Sequence, residues 1–422
     1  MAITSRLRRA ICSLALTVLA TACMAPPPAP PHVAVEVTTT FPRRPPAPPS
    51  TAEGFPKLGG VEPGSLISAE VFDTIDPNIV ATGATAWRIR YLSVSAVSAV
   101  AGSPVEVTGL VIVPGGQAPS DGWRVIAYNH QNTGVIPGCG PSAYEDLANQ
   151  WGPVTGLLQY GFAVVMTDYE GLGGPGRHAF LDSAALGRNV IDAVRAARGL
   201  RPDIGSRWVT VGTGLGGLAA WAANEQAASY GAGMDLVGAV ARMPWTNLTG
   251  LAARAVQRSM TPGQLAVYFQ TVMAMQATRG VDVQRFLRGR LYVDRDQLLT
   301  CKGAPSSEAL SAAADADPAD AAPADPGAEK ELADLLAAMA VPQQRTAAPM
   351  LVVYASADPV VEQASVEEAI NRGCALGDTI EWYQRTSSAD EDLDMIGTLL
   401  WVRGRFDDKA PVDLCATAPK QP

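Results

Sequence analysis

Short apolar runs recur along this chain with enough residues between them for a helix. "WRVIAYN" (Trp123 to Asn129), "FAVVMTD" (Phe162 to Asp168), "RWVTV" (Arg207 to Val211) and "LVGAVAR" (Leu236 to Arg242) are too short for buried helices. Such runs suit strands buried on both faces of a parallel sheet. Between them, "LDSAALGRNVIDAVRAARGL" and "LAAWAANEQAASYG" have helical length and periodicity. "MLVVYASAD" (Met350 to Asp358) and "TIEWYQ" (Thr379 to Gln384) return to strand character. Upstream, "WRIRYLSVS" (Trp87 to Ser95) and "VEVTGLVIVP" (Val105 to Pro114) read as a pair of strands. The alternation predicts an α/β fold with a mostly parallel, doubly wound sheet.

The alternation stops between residues 245 and 345. "AVYFQTVMAMQA" is apolar on more than one face, which predicts a helical cap inserted into the sheet domain. The Ala/Asp/Pro-rich segment from Ser306 to Lys330 is expected to be a solvated acidic loop. At 422 residues the chain fits one large domain with an insertion. We divide it into core at 57–244, cap at 245–345 and core again at 346–422.

The first residues have the layout of an export signal. Arg6, Arg8 and Arg9 precede an apolar run, Ala10 to Ala22, that is short for a bilayer span. It ends in "LATAC", which resembles a bacterial lipobox with Ala20 in place of the usual Leu. Residues 1–23 are therefore expected to be a signal peptide, with Cys23 lipidated and anchoring the chain to a membrane; simple secretion is the alternative. Residues 24–56 are Pro-rich and predict a semi-extended spacer. A net charge of −9 argues against nucleic acid as a partner. Beyond Cys12 and Cys23, four cysteines remain: Cys139, Cys301, Cys374 and Cys415. In an exported chain they imply two disulfides, and spacing leaves three pairings open. No C-x-x-C supports a metal site.

The stretch "VTVGTGLGGLAA", Val209 to Ala220, carries two motifs at once. Gly212, Gly214 and Gly217 match the dinucleotide fingerprint G-x-G-x-x-G. That reading needs an acidic residue ending the next strand. Asp235 precedes that strand instead, so neither a dinucleotide nor any other cofactor is expected. The second match is G-x-S-x-G, the strand-to-helix elbow of serine hydrolases, with Gly214 in the serine position.

Four stretches make the chain resemble the bacterial and fungal secretory lipases, α/β-hydrolases with a helical cap. They are "VIAYNHQNTGVIPGCGPS", "YGFAVVMTDYEGLGGPGRHAFL", "GRNVIDAVRAAR" and "APMLVVYASADPVV". The resemblance spans roughly residues 60 to 417. It implies Cys139–Cys301 and Cys374–Cys415 pairing. The family elbow, of the form G-H-S-Q-G-G, aligns with Gly212 to Gly217 and puts the nucleophile at Gly214 and an oxyanion donor at Leu215. The family acid, in a motif like G-T-A-D-x-V-V, falls on Asp358. The family histidine falls near Asp390, in "WYQRTSSADEDLDMIG", which holds no histidine. His130 and Gln131 occupy the oxyanion region, where the family has a motif like H-G-T-T-G. The remaining histidines are His32, in the spacer, and His178.

Two of three triad members are therefore absent. The serine supplies the nucleophile and the histidine carries its proton, so ester hydrolysis by this route should fall to residual levels. Thr213 as a substitute nucleophile, an Asp358–Asp390 acid pair, and calcium at "DEDLD" are the rescues the sequence offers. Each fits the chemistry less well than a solvated loop after a lost histidine. We expect a degenerate lipase relative that binds an acyl chain, lipid or envelope partner; an active esterase with other residues, or an envelope scaffold, are the alternatives.

Overall fold

The computed structural model describes residues 60–97, 100–301, 307–387 and 391–418. The signal peptide, Cys23, most of the spacer and Asp390 lie outside them. Nine strands form one sheet: β1 (Leu66–Val71), β2 (Thr85–Val94), β3 (Pro104–Val113), β4 (Trp123–Asn129), β5 (Ala163–Thr167), β6 (Ile204–Thr213), β7 (Asp235–Arg242), β8 (Met350–Ala357) and β9 (Ile380–Ser387). Their spatial order is β1-β2-β3-β5-β4-β6-β7-β8-β9. β1, β2, β3 and β5 pair antiparallel in turn. Every pairing from β5 through β9 is parallel. This is the mostly parallel α/β sheet expected from the apolar runs. Only β1 escaped that reading, because "LISAEV" is an edge strand whose last residues are exposed.

The α-helices among the described residues are α1 (Pro77–Val80), α2 (Trp151–Gln159), α3 (Ser183–Leu200), α4 (Leu215–Tyr230), α5 (Gly250–Gln257), α6 (Pro262–Arg279), α7 (Gly289–Val293), α8 (Arg295–Leu298), α9 (Ser307–Ala314), α10 (Pro326–Met339), α11 (Gln363–Leu376) and α12 (Glu391–Phe406). Central strands send alternate side chains to two cores, as the two-residue strand period requires. Val125, Ala127 and Trp208 join α3, α4 and α11 on one face. Ile126, Tyr128 and Val209 join α1, α2 and α12 on the other.

Helices α5 to α10 lie between β7 and β8. Helix α6 is capped as its sequence dictates: Thr261 and Gln264 form a capping box, Pro262 opens the first turn and Gly280 ends it left-handed. Its N-terminus docks on the turn after β8, where Thr261 Oγ1 donates to Pro359 O and Gln264 Nε2 to Val360 O. On its inner side Asn132 Nδ2 donates to Gln270 Oε1 at 2.6 Å. The Cys139–Cys301 disulfide ties this insertion to the loop after β4, and Cys374–Cys415 ties α11 to the C-terminal segment.

The acidic Ala/Asp/Pro segment corrects the expectation of a solvated loop. From residue 307 it is helix α9, a short 3-10 turn at Pro318–Ala321 and helix α10. Its Asp-Pro pairs are helix starts: Asp317 and Asp325 each accept an N-cap hydrogen bond, and each is followed by Pro in the first turn. Ala309, Ala313, Ala321 and Ala328 are buried, while Asp315 faces water and half-buried Asp320 accepts from Arg290 N at 2.8 Å. Low complexity here is a small-residue core face alternating with caps.

Candidate active site

Gly214 is the single residue between β6 and α4. Its φ of +60° and ψ of −118° belong to a region that L side chains adopt only under strain. Its N–H donates to Arg242 O at 2.9 Å, and its carbonyl accepts from Leu218 and Trp245 N–H. The neighbouring glycines have a different reason. A Cβ at Gly212 would overlap the Gly216 carbonyl, and one at Gly216 would overlap the Asn129 carbonyl. One at Gly217 would sit 2.8 Å from Arg242 O. Strands β4, β6 and β7 meet the first turn of α4 so closely that only hydrogen fits. At Gly214 itself a Cβ would find its nearest neighbour, Trp245 Nε1, at 3.5 Å, which is ordinary contact. The turn thus has room for a side chain at the one position where the chain has none.

The other two slots follow β8 and β9. Asp358 stands immediately after β8, half-buried. Its Oδ1 accepts from Val360 N at 2.8 Å and Val361 N at 2.9 Å. Burial raises its pKa, and those two hydrogen bonds oppose the rise. The histidine slot follows β9, and Asp390 lies outside the described residues. Gly214 and Asp358 both come at the C-terminal ends of parallel strands, where loops of such sheets carry sites.

The two described histidines are packed as neutral rings. His130 follows β4 directly and is fully buried. Its Nδ1 lies 2.6 Å from Gln131 O and so carries the proton, and its Nε2 has no partner. Burial lowers its pKa. His178 faces Glu170 O through Nδ1 at 3.1 Å, and burial pushes it down to about 3. Ring contacts run from His130 to Tyr169, His178, Phe180 and Trp245, with centroid distances of 4.4, 6.1, 5.9 and 6.1 Å. Rings this hard to protonate are poor general bases at neutral pH. They make acid destabilising. Unfolded histidine titrates near 6.5, so the contribution of His178 is complete above that pH and fades as pH falls toward 3. Urea unfolding at pH 7 and pH 4.5 should show a smaller acid loss for His178→Phe than for the parent chain.

The "TDYEGLGGPG" stretch is held by a carboxylate the sequence reading did not single out. Asp168, fully buried, accepts from Thr108 Oγ1 at 2.6 Å, Ser142 N at 2.9 Å and Ser142 Oγ at 2.5 Å. It pins β3, β5 and the loop after Cys139 together. An aspartate ending an apolar strand is its only sequence signal.

Trp245 decides what lies above Gly214. Its indole borders the position a serine side chain would enter, 3.5 to 3.9 Å from a Cβ there, and Phe180 packs edge-on against it. A small, partly open pocket beside it measures about 10 Å³ and is lined by Leu181, Leu218, Leu248, Leu336 and Met339. That is space for about one water molecule. Leu336 and Met339 belong to α10, so the cap supplies one side of this pocket. Leu215, the expected oxyanion donor, is buried at the start of α4, whose N-terminus has no side-chain cap, and Gln131 is half-buried.

Residues 149–279, which include the elbow, match the model of the secretory lipase family. A search of curated proteins gives no match. Among solved structures, the fold is similar to lipase A of Candida antarctica in its closed state, at TM-score 0.66 and 17% identity, over 85% of this chain and 86% of that one. It is also similar to the rice cell wall degrading esterase LipA of Xanthomonas oryzae, at TM-score 0.65 and 20% identity, over 83% of this chain and 100% of that one. The sheet, its order and these likenesses establish the α/β-hydrolase fold.

Proposed function

From a secretory-lipase relative with an α/β-hydrolase fold, we propose a protein that has given up serine hydrolysis and kept the fold for binding. It would be exported and held at the cell envelope through Cys23. Its ligand would be a lipid or acyl chain, or an envelope partner, taken into the apolar space between the elbow and the cap. The observation that carries this reading is Gly214. The elbow keeps its strained backbone and its room for a side chain, yet presents hydrogen where the nucleophile belongs. The neutral, buried state of His130 and His178 supports it, because neither is a ready base. The apolar walls of the small cavity support an apolar ligand, admitted when α10 moves.

A fluorophosphonate probe and a short-chain ester assay test the loss of catalysis. We expect no labelling, and turnover equal to that of Gly214→Ala. Turnover above that control, removed by Asp358→Asn, would overturn the proposal in favour of an active esterase. Gly214→Ser alone should stay silent, having no base. Gly214→Ser with Asp390→His should hydrolyse ester above the single variant if the slot assignments are right. Extraction of the purified protein followed by mass spectrometry tests binding; stoichiometric lipid supports it, and an empty protein supports a scaffold.

A further inference from the structure

The cap returns to the sheet through residues 341–347; Val341 N donates to Thr246 O at 2.9 Å, and two buried carboxylates and their neighbours hold the rest of the return. Glu225, near the end of α4, accepts from Gln343 N at 2.9 Å, and its own carbonyl accepts from Gln344 Nε2. Asp378, between α11 and β9, accepts from Thr346 N at 2.8 Å. Asn224 O accepts from Ala347 N, and the Asn224 amide pairs in both directions with Ala348. Arg372 donates to Pro342 O. Both carboxylates are 4% exposed, and Asp378 Oδ2 is buried with no partner.

Gln343 joins this cluster to the cap. Its backbone N–H is held by Glu225, while its side chain donates to Ala337 O and Ala340 O at the end of α10. That same end of α10 carries Leu336 and Met339, which line the pocket beside Trp245. Releasing the return therefore removes one of the ties on this wall, the other being Val341 N to Thr246 O.

We propose that Glu225 and Asp378 form a proton-operated latch on the return segment 341–347, closed while Glu225 is protonated and loosened when it ionises. As regulation of the apolar site, it rests on the binding function proposed above; as a motion of the cap, it stands without it. The groups facing Glu225 are Asp378 from beyond α11, which opposes its ionisation, and Arg372 from α11, which favours it; Arg345 on the return segment faces Asp378. Burial is the largest influence and pushes Glu225 up to about 8. Once the return lifts, Gln343 and Gln344 no longer cover Glu225, and water restores an ordinary carboxylate near 4.5. The state with the lower pKa gains population as pH rises. The open fraction therefore climbs by up to about tenfold per pH unit between those two values and then levels.

Hydrogen exchange of the full chain, read by mass spectrometry on peptides spanning residues 326–347 and corrected for intrinsic exchange, measures the opening directly and needs no ligand. The parent chain should show opening that rises at least tenfold from pH 5.5 to pH 8. Glu225→Gln should show a flat, closed profile. Asp378→Asn, which removes the opposing charge, should shift the rise to lower pH. A parent profile that is flat, or one that Glu225→Gln leaves unchanged, overturns the latch. Failure of the lipid extraction, with this pH dependence intact, would count against the binding function alone.

Discussion

Gly216→Ala is expected to leave no stable fold, whereas Gly214→Ala should fold and lose only about 1–3 kcal/mol. The two substitutions add the same methyl group two residues apart in one turn. At Gly216 that methyl meets the Asn129 carbonyl, with the His130 carbonyl 2.8 Å away. Both belong to the end of β4, which is paired on either side with β5 and β6 and has no freedom to retreat. The helix must lift from the sheet, and its buried Leu218 and Trp221 lift with it. The loss should exceed about 4 kcal/mol, a large share of the stability of an ordinary domain. At Gly214 the methyl meets only Trp245 at contact distance, and the cost is backbone strain from φ of +60°. Urea denaturation, or soluble yield with circular dichroism, separates the two. Equal losses would mean that the elbow is not packed as described.

Removing the Cys139–Cys301 bridge should be the second large effect. Its sequence separation is 162 residues, and the chain-entropy argument gives about 5 kcal/mol for a closed loop of that length. Cys374–Cys415, with a separation of 41, gives about 4 kcal/mol by the same argument. Paired Cys→Ser variants of each bridge, compared by thermal unfolding, should lower Tm in that order. The first pair has a further consequence. Thr300 O lies against Gly134, so losing the bridge loosens the contact between the cap and the loop that follows His130. Exchange in residues 130–140 should rise in this variant and stay unchanged without Cys374–Cys415.

Much of the fold was readable because its signals are local. Apolar runs flanked by turn residues gave every parallel strand, since a strand buried on both faces needs no partner to be recognised. The cap was readable from "AVYFQTVMAMQA", apolar on more than one face, which lies in helix α6. The acidic segment was misread because composition counts aspartates without asking which ones cap a helix. β1 was missed because an edge strand has little apolar pattern to display. The site divided the same way. The lack of serine at 214 and of histidine near 390 is a fact of residue identity. The contact of Trp245 with Gly214, the clamp formed by Asp168 and the latch around Glu225 involve partners tens to more than a hundred residues apart.

Residue identity alone determined the sheet's alternation and the absence of serine at 214 and of histidine near 390, since these depend on neighbours in the chain. Packing settled the rest. Whether a glycine is demanded by space or merely permitted by it, whether a histidine is a base or a buried neutral ring, and whether a pocket is open or walled by α10 all depend on what lies a few ångströms away. Desolvation and steric exclusion act through space, and the chain carries no local mark of either.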